Sequence, residues 1–247
     1  MRAIVDRAAA VGVGNVVTIA DDLASAHWVT RAAEWDHRVY AAVALHPTRA
    51  NALTDQARTE LETLARHPRV LAIGETGLDL YWPGRLAGCA SVAEQRDAFA
   101  WHIELAKRSG KPLMIHNREA DADVLDVLRA EGAPDTVIFH CFSSDAPMAR
   151  TCFGAGWLLS LSGTVSFRNA AALREAAALI PSTQLLVETD APFLTPHPYR
   201  GAPNEPYCLP YTVRALADLV GRPAVDLARD TTANALRAYG ITESCRS

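Results

Sequence analysis

Cysteine is scarce and scattered in this chain of 247 residues. The five that occur, Cys89, Cys141, Cys152, Cys208 and Cys245, are odd in number and form no C-x-x-C. That argues against a disulfide framework and against a zinc–thiolate site, and it makes a reducing cytoplasm the expected compartment. Positive charge is not in excess either: 24 Lys and Arg against 28 Asp and Glu leave a formal net charge of −4. A protein that coats nucleic acid would be basic, so any nucleic-acid contact has to be local to a site. No apolar run approaches the roughly 18 residues of a membrane span. The N-terminal stretch, with Arg2, Asp6 and Arg7 among alanines, reads as an amphipathic helix and not as a secretory signal. Repeats, low-complexity tracts and linkers are missing, so one domain over residues 1–247 is expected, with no obligate protein partner in evidence. Two short motifs are incomplete. Gly12-Val13-Gly14 has neither the preceding strand nor the third glycine of a dinucleotide site. Ser160-Leu161-Ser162-Gly163 lacks the leading glycine of a nucleophile elbow.

What the chain does have is an apolar fraction of 49%, enough for a sizeable core, and a repeated way of ending apolar runs. Val39 to Leu45 stops on His46, Val70 to Gly74 on Glu75, Pro112 to Ile115 on His116, Thr136 to Phe139 on His140, and Gln184 to Thr189 on Asp190. Strand ends that converge on one polar site give this pattern, because in a (β/α)8 barrel the reactive groups sit where side chains leave the packed interior.

Strand-like runs alternate with helical periodicity throughout. Strands are expected at Asn15–Ala20, Val39–Leu45, Val70–Gly74, Pro112–Ile115, Val137–Phe139, Gly156–Leu161 and Gln184–Val187. Helices are expected near Asp22–Trp35, over Leu53, Ala57, Leu61 and Leu64, over Phe99, Ile103 and Ala106, and over Val124, Leu125 and Leu128. Further helices are expected at Pro147–Phe153, Asn169–Leu179, Pro206–Val220 and Ala224–Tyr239. Thr76 to Ala90 reads as a loop, and the proline-rich stretch Ala191–Pro210 as a long loop after the last strand. Seven strands, each followed by a helix, predict an α/β fold with a parallel sheet. A closed barrel wants eight, so the simplest reading is that a first strand is missing from this sequence.

Glu75, His116, His140 and Asp190 make an oxygen and nitrogen donor set suited to Zn, Mn, Co or Ni, or to Mg with water completing the shell. Taken singly, each has a structural alternative: such residues often cap the next helix. Capping gives no reason for histidine twice at such positions. Two metals bridged by a carboxylate would activate water for attack on a phosphodiester. Glu75 is the bridge candidate, and Asp190 can bind metal and also orient or deprotonate the water. His46 reads either as a loop cap or as a phosphate contact. Arg118 reads either as a solvated helix-start residue or as a phosphate clamp, since its fork matches phosphate oxygens. Arg200 and Asn204 lie in the loop after Asp190 as candidate substrate-holding residues. Phe99 and Trp101 read as packing residues.

Four motifs occur in register: Gly74-Glu75-Thr76-Gly77-Leu78-Asp79, Ile115-His116-Asn117-Arg118, Phe139-His140-Cys141-Phe142-Ser143 and Glu188-Thr189-Asp190-Ala191-Pro192. Tyr199-Arg200-Gly201 and Asn204-Glu205-Pro206 follow. Together they resemble the TatD family of metal-dependent deoxyribonucleases, from about Val16 onward. The resemblance implies a (β/α)8 TIM barrel and hydrolysis of DNA phosphodiesters at single-stranded 3′ ends, with divalent cations (Mg, Mn or Zn, two in a complete protein). It implies that Glu75 bridges the metals, that His116 and His140 ligate, that Asp190 ligates and handles the water, and that His46 matches a strand-end Gly-x-His-Pro with Ala44 in place of glycine. The family's first strand carries a His-x-His pair, and no such pair occurs here; His27 and His37 lie in and just beyond a helix. The expectation is therefore a natural protein longer by one strand and loop, roughly 20–30 residues, with activity impaired in the present form. The alternatives are an inactive fragment or binding relic, or a related hydrolase of small amides or lactones, since a barrel fold is shared by many chemistries.

Overall fold

The computed structural model describes residues 1–242; Cys245 lies outside them. In chain order the elements are α1 (Arg2–Ala9), β1 (Val16–Ile19), α2 (Leu23–Ala32), β2 (Val39–Val43), α3 (Asp55–Ala65), β3 (Val70–Asp79), α4 (Val92–Ser109), β4 (Leu113–Arg118) and α5 (Asp121–Glu131). Then follow β5 (Val137–Phe139), α6 (Ala146–Gly154), β6 (Leu158–Leu161), α7 (Ala171–Ala177), β7 (Leu185–Val187), α8 (Leu209–Val220) and α9 (Ala224–Tyr239). The seven expected strands are present. Local chemistry sets several helix boundaries. Asp22, Thr54, Ser91 and Asp145 accept backbone N–H groups at helix starts, and Gly110, Gly221 and Gly240 end helices in the left-handed region. No disulfide joins Cys89, Cys141, Cys152 or Cys208 among the described residues.

Two compact units divide the chain. The first, Val17–His140, holds β2 to β5 and most of β1, ordered in space as along the sequence. The pairings β2–β3, β3–β4 and β4–β5 are parallel, with Ala41 opposite Val70, Ile73 opposite Leu113 and Leu113 opposite Val137. Strand β2 is buried along its whole length, as a parallel strand covered on both faces should be. Helix α2 packs on β2, and α4 packs on β3 through Ala98, Phe99, Ile103 and Ala106, a 3.6-residue stripe.

Strand β3 departs from expectation. The sequence places its end at Gly74, yet the strand continues to Asp79. Between Ile73 and Thr76 the register with β4 slips: Ile73 faces Leu113 while Thr76 faces Ile115. The extra residue is a bulge, and bulges re-aim side chains. Glycine makes the continuation possible. A Cβ on Gly74 would overlap Met114, and one on Gly77, whose φ is 137°, would overlap the His116 carbonyl. Gly74, at the expected strand end, and Gly77, in the expected loop, instead let β4 lie close against β3 on either side of Glu75. Strand β4 likewise runs past its expected end, so His116 lies within it.

The second unit comprises Met1–Val16 and Cys141–Ile241. Strands β6 and β7 pair in parallel, Leu159 with Leu185 and Leu161 with Val187. Helix α9 is fastened to β7 by Asn234, whose Nδ2 donates to Ser182 O at 2.6 Å and Leu185 O at 2.9 Å. Helix α1 is tied to the segment before α8 by Arg7, whose Nε and Nη2 donate to the Glu205 carboxylate at 2.9 Å each. Ser162 caps a short 3-10 turn, and a side chain on Gly163 would overlap the Leu194 carbonyl, so that serine–glycine pair is structural.

Candidate metal centre

Glu75, re-aimed by the bulge in β3, stands at the centre of a histidine cluster in the first unit. Its Oε1 lies 2.6 Å from His116 Nδ1 and 3.7 Å from His46 Nε2. Its Oε2 lies 3.6 Å from His140 Nε2. One carboxylate therefore offers one oxygen to each side. His46 Nε2 and His116 Nδ1 are 3.3 Å apart, and one donor atom each from His46, Glu75 and His116 falls within 4.8 Å of the others. His46, which the sequence leaves open between a loop cap and a phosphate contact, caps the 3-10 turn that follows by accepting from Thr48 N–H and also brings a ring nitrogen into the donor cluster.

The backbone holds each of these residues. His46 N–H donates to Asp21 O at 2.9 Å, and His140 N–H donates to Ile115 O at 3.0 Å. Behind His46, Nδ1 lies 2.8 Å from Thr48 Oγ1. Behind His116, Nε2 lies 3.0 Å from Asp79 Oδ2. His116 can therefore keep a proton on Nε2, toward Asp79, and turn its Nδ1 toward the cluster, whereas His46 Nδ1 accepts from Thr48 N–H at 3.2 Å, which leaves the His46 proton on Nε2, the cluster side. The His116 arrangement, a histidine backed by an oxygen acceptor, is the usual second layer of a metal site.

Electrostatics follow from the crowding. Burial pushes the Glu75 carboxyl up, but His140, then His116 and His46, outweigh it and hold the group well below the usual carboxylate range. Burial pushes His116 down, yet the Asp79 and Glu75 carboxylates carry it up to about 9. His46 is lowered to about 4, first by burial and then by the His116 cation. The donor set, one shared carboxylate with neighbouring imidazoles, fits a borderline divalent cation. Glu75, His116, His46 and His140 are the residues of this unit that would hold it.

Two residues that the sequence reading quoted or passed over turn out to matter. Asp79 is fully buried and double-sided: while Oδ2 meets His116, Oδ1 accepts from Tyr81 N–H at 2.9 Å and Trp82 N–H at 3.0 Å. Its own N–H is held by Gln95 Oε1 at 2.8 Å. His102 is also fully buried. Leu45 N–H donates to its Nε2 at 3.3 Å, so Nδ1 carries the proton and donates to Ala98 O at 2.7 Å, with Thr76 Oγ1 at 3.2 Å. It thereby links the residues next to His46 and next to Glu75. A signal existed for both partners on α4: Gln95 and His102 fall on the apolar stripe of that helix, where a polar residue needs a buried partner.

Arg118 is exposed and lies over the Tyr81 ring, its Cζ 4.0 Å from the centroid. The remaining expected site residues belong to the second unit. Asp190 follows β7 with φ 57°, a left-handed conformation that Asp tolerates better than most residues. Its carboxylate and that of Glu188 approach within 4.8 Å. Glu188 had no assigned role, although i and i+2 at a strand end share a face. Asn204 is buried; its Nδ2 donates to Thr189 O at 2.7 Å and Phe193 O at 2.6 Å, closing the loop around Asp190. Arg200 is exposed, with Cζ 4.1 Å from the Phe167 centroid.

The family model described as TatD related DNase matches residues 1–240. The chain belongs to that TatD-related family. A Mycobacterium tuberculosis protein named uncharacterized metal-dependent hydrolase TatD is 76% identical over 241 residues, covering 98% of this chain and 91% of the relative. A Musicola paradisiaca protein named 3′-5′ ssDNA/RNA exonuclease TatD is 33% identical, covering 97% and 91%. Among solved structures, the TatD homologue YjjV of Escherichia coli superposes with a TM-score of 0.90 at 28% identity, covering 98% of this chain and 92% of that one. The fold is therefore the α/β TIM-barrel type of TatD proteins, here with seven strands, and the chain is a metal-dependent hydrolase of that family. Among the described residues no helix is long and apolar enough to cross a membrane.

Proposed function

We propose that this TatD-family hydrolase cleaves phosphodiester bonds of DNA, removing nucleotides from single-stranded 3′ ends with the help of divalent cations. The observation that carries the reading is the two-sided Glu75 carboxylate, one oxygen toward His116 and His46 and the other toward His140. A carboxylate so flanked would hold divalent cation on either side with help from these histidines. The name of the Musicola relative supports a nucleic-acid substrate. The scattered cysteines favour the cytoplasm.

Bound divalent metal would supply Lewis acidity toward a phosphoryl oxygen and make water acidic enough to attack near neutral pH. The chain's own residues do the rest. Glu75 holds its negative charge at neutral pH because the surrounding histidines stabilise it. Asp79 accepts the Nε2 proton of the His116 cation, so a metal that displaced the proton on Nδ1 would leave the other one held away from the donor face. Asp190 is our proposed acceptor for the proton of the attacking water. Arg118 and Arg200 are proposed to meet phosphate oxygens, and Asn204 to hold the loop that carries Asp190.

The test is a substrate screen of the purified chain with Mn or Mg, comparing 3′-ended single-stranded DNA with cyclic amides and lactones. Release of nucleotides from the 3′ end, stopped by chelation and lost by more than about 100-fold in Glu75→Ala, is the expected result. That factor exceeds the usual effect of changing a residue behind a ligand. Turnover of an amide or lactone with DNA left intact would replace the reading.

A further inference from the structure

The loop after β3 opens with Tyr81 and Trp82, edge to face with centroids 4.9 Å apart. Arg118, register partner of Asp79 on β4, sets its Cζ 4.0 Å from the Tyr81 centroid and 5.5 Å from that of Trp82. Arg85 adds a second guanidinium 4.3 Å from Tyr81, its Nη1 donating to the Tyr81 carbonyl at 2.7 Å. Both arginines are exposed, and both aromatic rings are half-buried. Two aromatic rings and two guanidinium groups thus form one patch in a protein whose formal net charge is −4.

The patch is joined to the donor cluster through one side chain. Asp79 holds His116 Nε2 with one oxygen and the backbone N–H groups of Tyr81 and Trp82 with the other. Gln95 locks the same place from below, accepting from Asp79 N–H and donating to Ala90 O at 3.2 Å. The stack therefore cannot move far without moving a candidate ligand. A loop wanted only for closure has no need of this connection.

We propose that Tyr81, Trp82 and Arg118 form a stacking subsite beside His116 for the terminal nucleobases of single-stranded DNA, Trp82 offering a ring face and Arg118 pairing with the adjoining phosphate. The proposal rests on the nuclease reading above. Bases stack on aromatic rings and guanidinium planes without regard to sequence, as an exonuclease requires. Tyr81 holds the Arg118 guanidinium in place, so less freedom is lost on binding.

Fluorescence anisotropy with the full chain tests it. The probe is a short, 5′-fluorescein-labelled thymidine oligonucleotide with phosphorothioate linkages, and its counterpart lacks the last two 3′ bases. In the presence of Mn, the counterpart is expected to bind the unaltered protein roughly ten-fold more weakly. Trp82→Ala should weaken the complete probe by a similar factor and leave the base-free one unchanged, while Trp82→Phe should restore most of the loss. Arg118→Ala should reduce the slope of log affinity against log salt by roughly 0.7. Equal affinity of the two probes for the unaltered protein would overturn the subsite alone, whatever the fate of the variants. Failure to bind either probe would overturn the nuclease reading and the subsite with it.

Discussion

The donor cluster around Glu75 and the loop that carries Asp190 are held by different means. Glu75 and His116 lie within strands, pressed together by two glycines and backed by Asp79, with His102 behind. Asp190, Arg200 and Asn204 lie on an irregular segment after β7, closed by the Asn204 amide and by Thr195 Oγ1 donating to Ala202 O at 2.5 Å. A strand-borne donor cannot shift without breaking ladder hydrogen bonds. A loop-borne one is kept in place by a few side-chain contacts and can open locally at small cost. The first unit thus holds Glu75 and His116 on rigid strands, and the second holds Asp190 on an adjustable loop.

The sharpest way to break this contrast is Asp79→Asn. The amide still accepts from Tyr81 and Trp82, but it no longer offers an anion to His116. Metal affinity, measured by isothermal titration calorimetry, should fall about 10–100-fold, with little change in melting temperature. Unaltered affinity would mean that His116 needs no support from behind.

His102 probes the same rigid side through pH. Burial holds it at about 4, below the ordinary 6.5. The unfolded chain therefore takes up this proton first as pH falls. The contribution of neutral His102 to stability is whole above pH 6.5 and is lost progressively on the way down to about 4. At pH 5 the loss should be about 2 kcal/mol. Urea unfolding at pH 7 and pH 5 should show the unaltered protein losing that much more than His102→Gln; parallel losses would place His102 outside the packed core.

The smallest expected effect is on the loop. Asn204→Ala leaves the Thr189 and Phe193 carbonyls without their donor, yet the segment can open to water. Global unfolding free energy should change by no more than about 1 kcal/mol, while proteolytic nicking within residues 190–203 accelerates. A loss of several kcal/mol would make the loop as integral as the strands and erase the contrast.

The meeting of Glu75 with His116 and His140 was legible in advance because apolar runs that stop on them mark where side chains leave a packed interior; Asp190 ends a run of the same kind in the second unit. The length of β3 was not legible. Gly77 falls in the expected loop, and only the close approach of β4 shows why it and Gly74 both occur inside one longer strand. The place of His46 was equally hidden, since a strand-end histidine before proline caps a loop as readily as it faces a cation. Asp79 falls inside the expected loop with no role assigned to it, and only the structure shows its two oxygens serving two neighbours.

By itself, the order of residues determined the alternation of strands and helices, the faces on which polar groups emerge and the family to which the chain belongs. These depend on periodicities of two and 3.6 and on local capping, all written over short stretches. Tertiary structure alone decided which donors meet. Glu75 and His116 are 41 residues apart along the chain yet 2.6 Å apart in space. A distance of that kind is set by bulge, register and side-chain packing, which no short stretch of sequence contains.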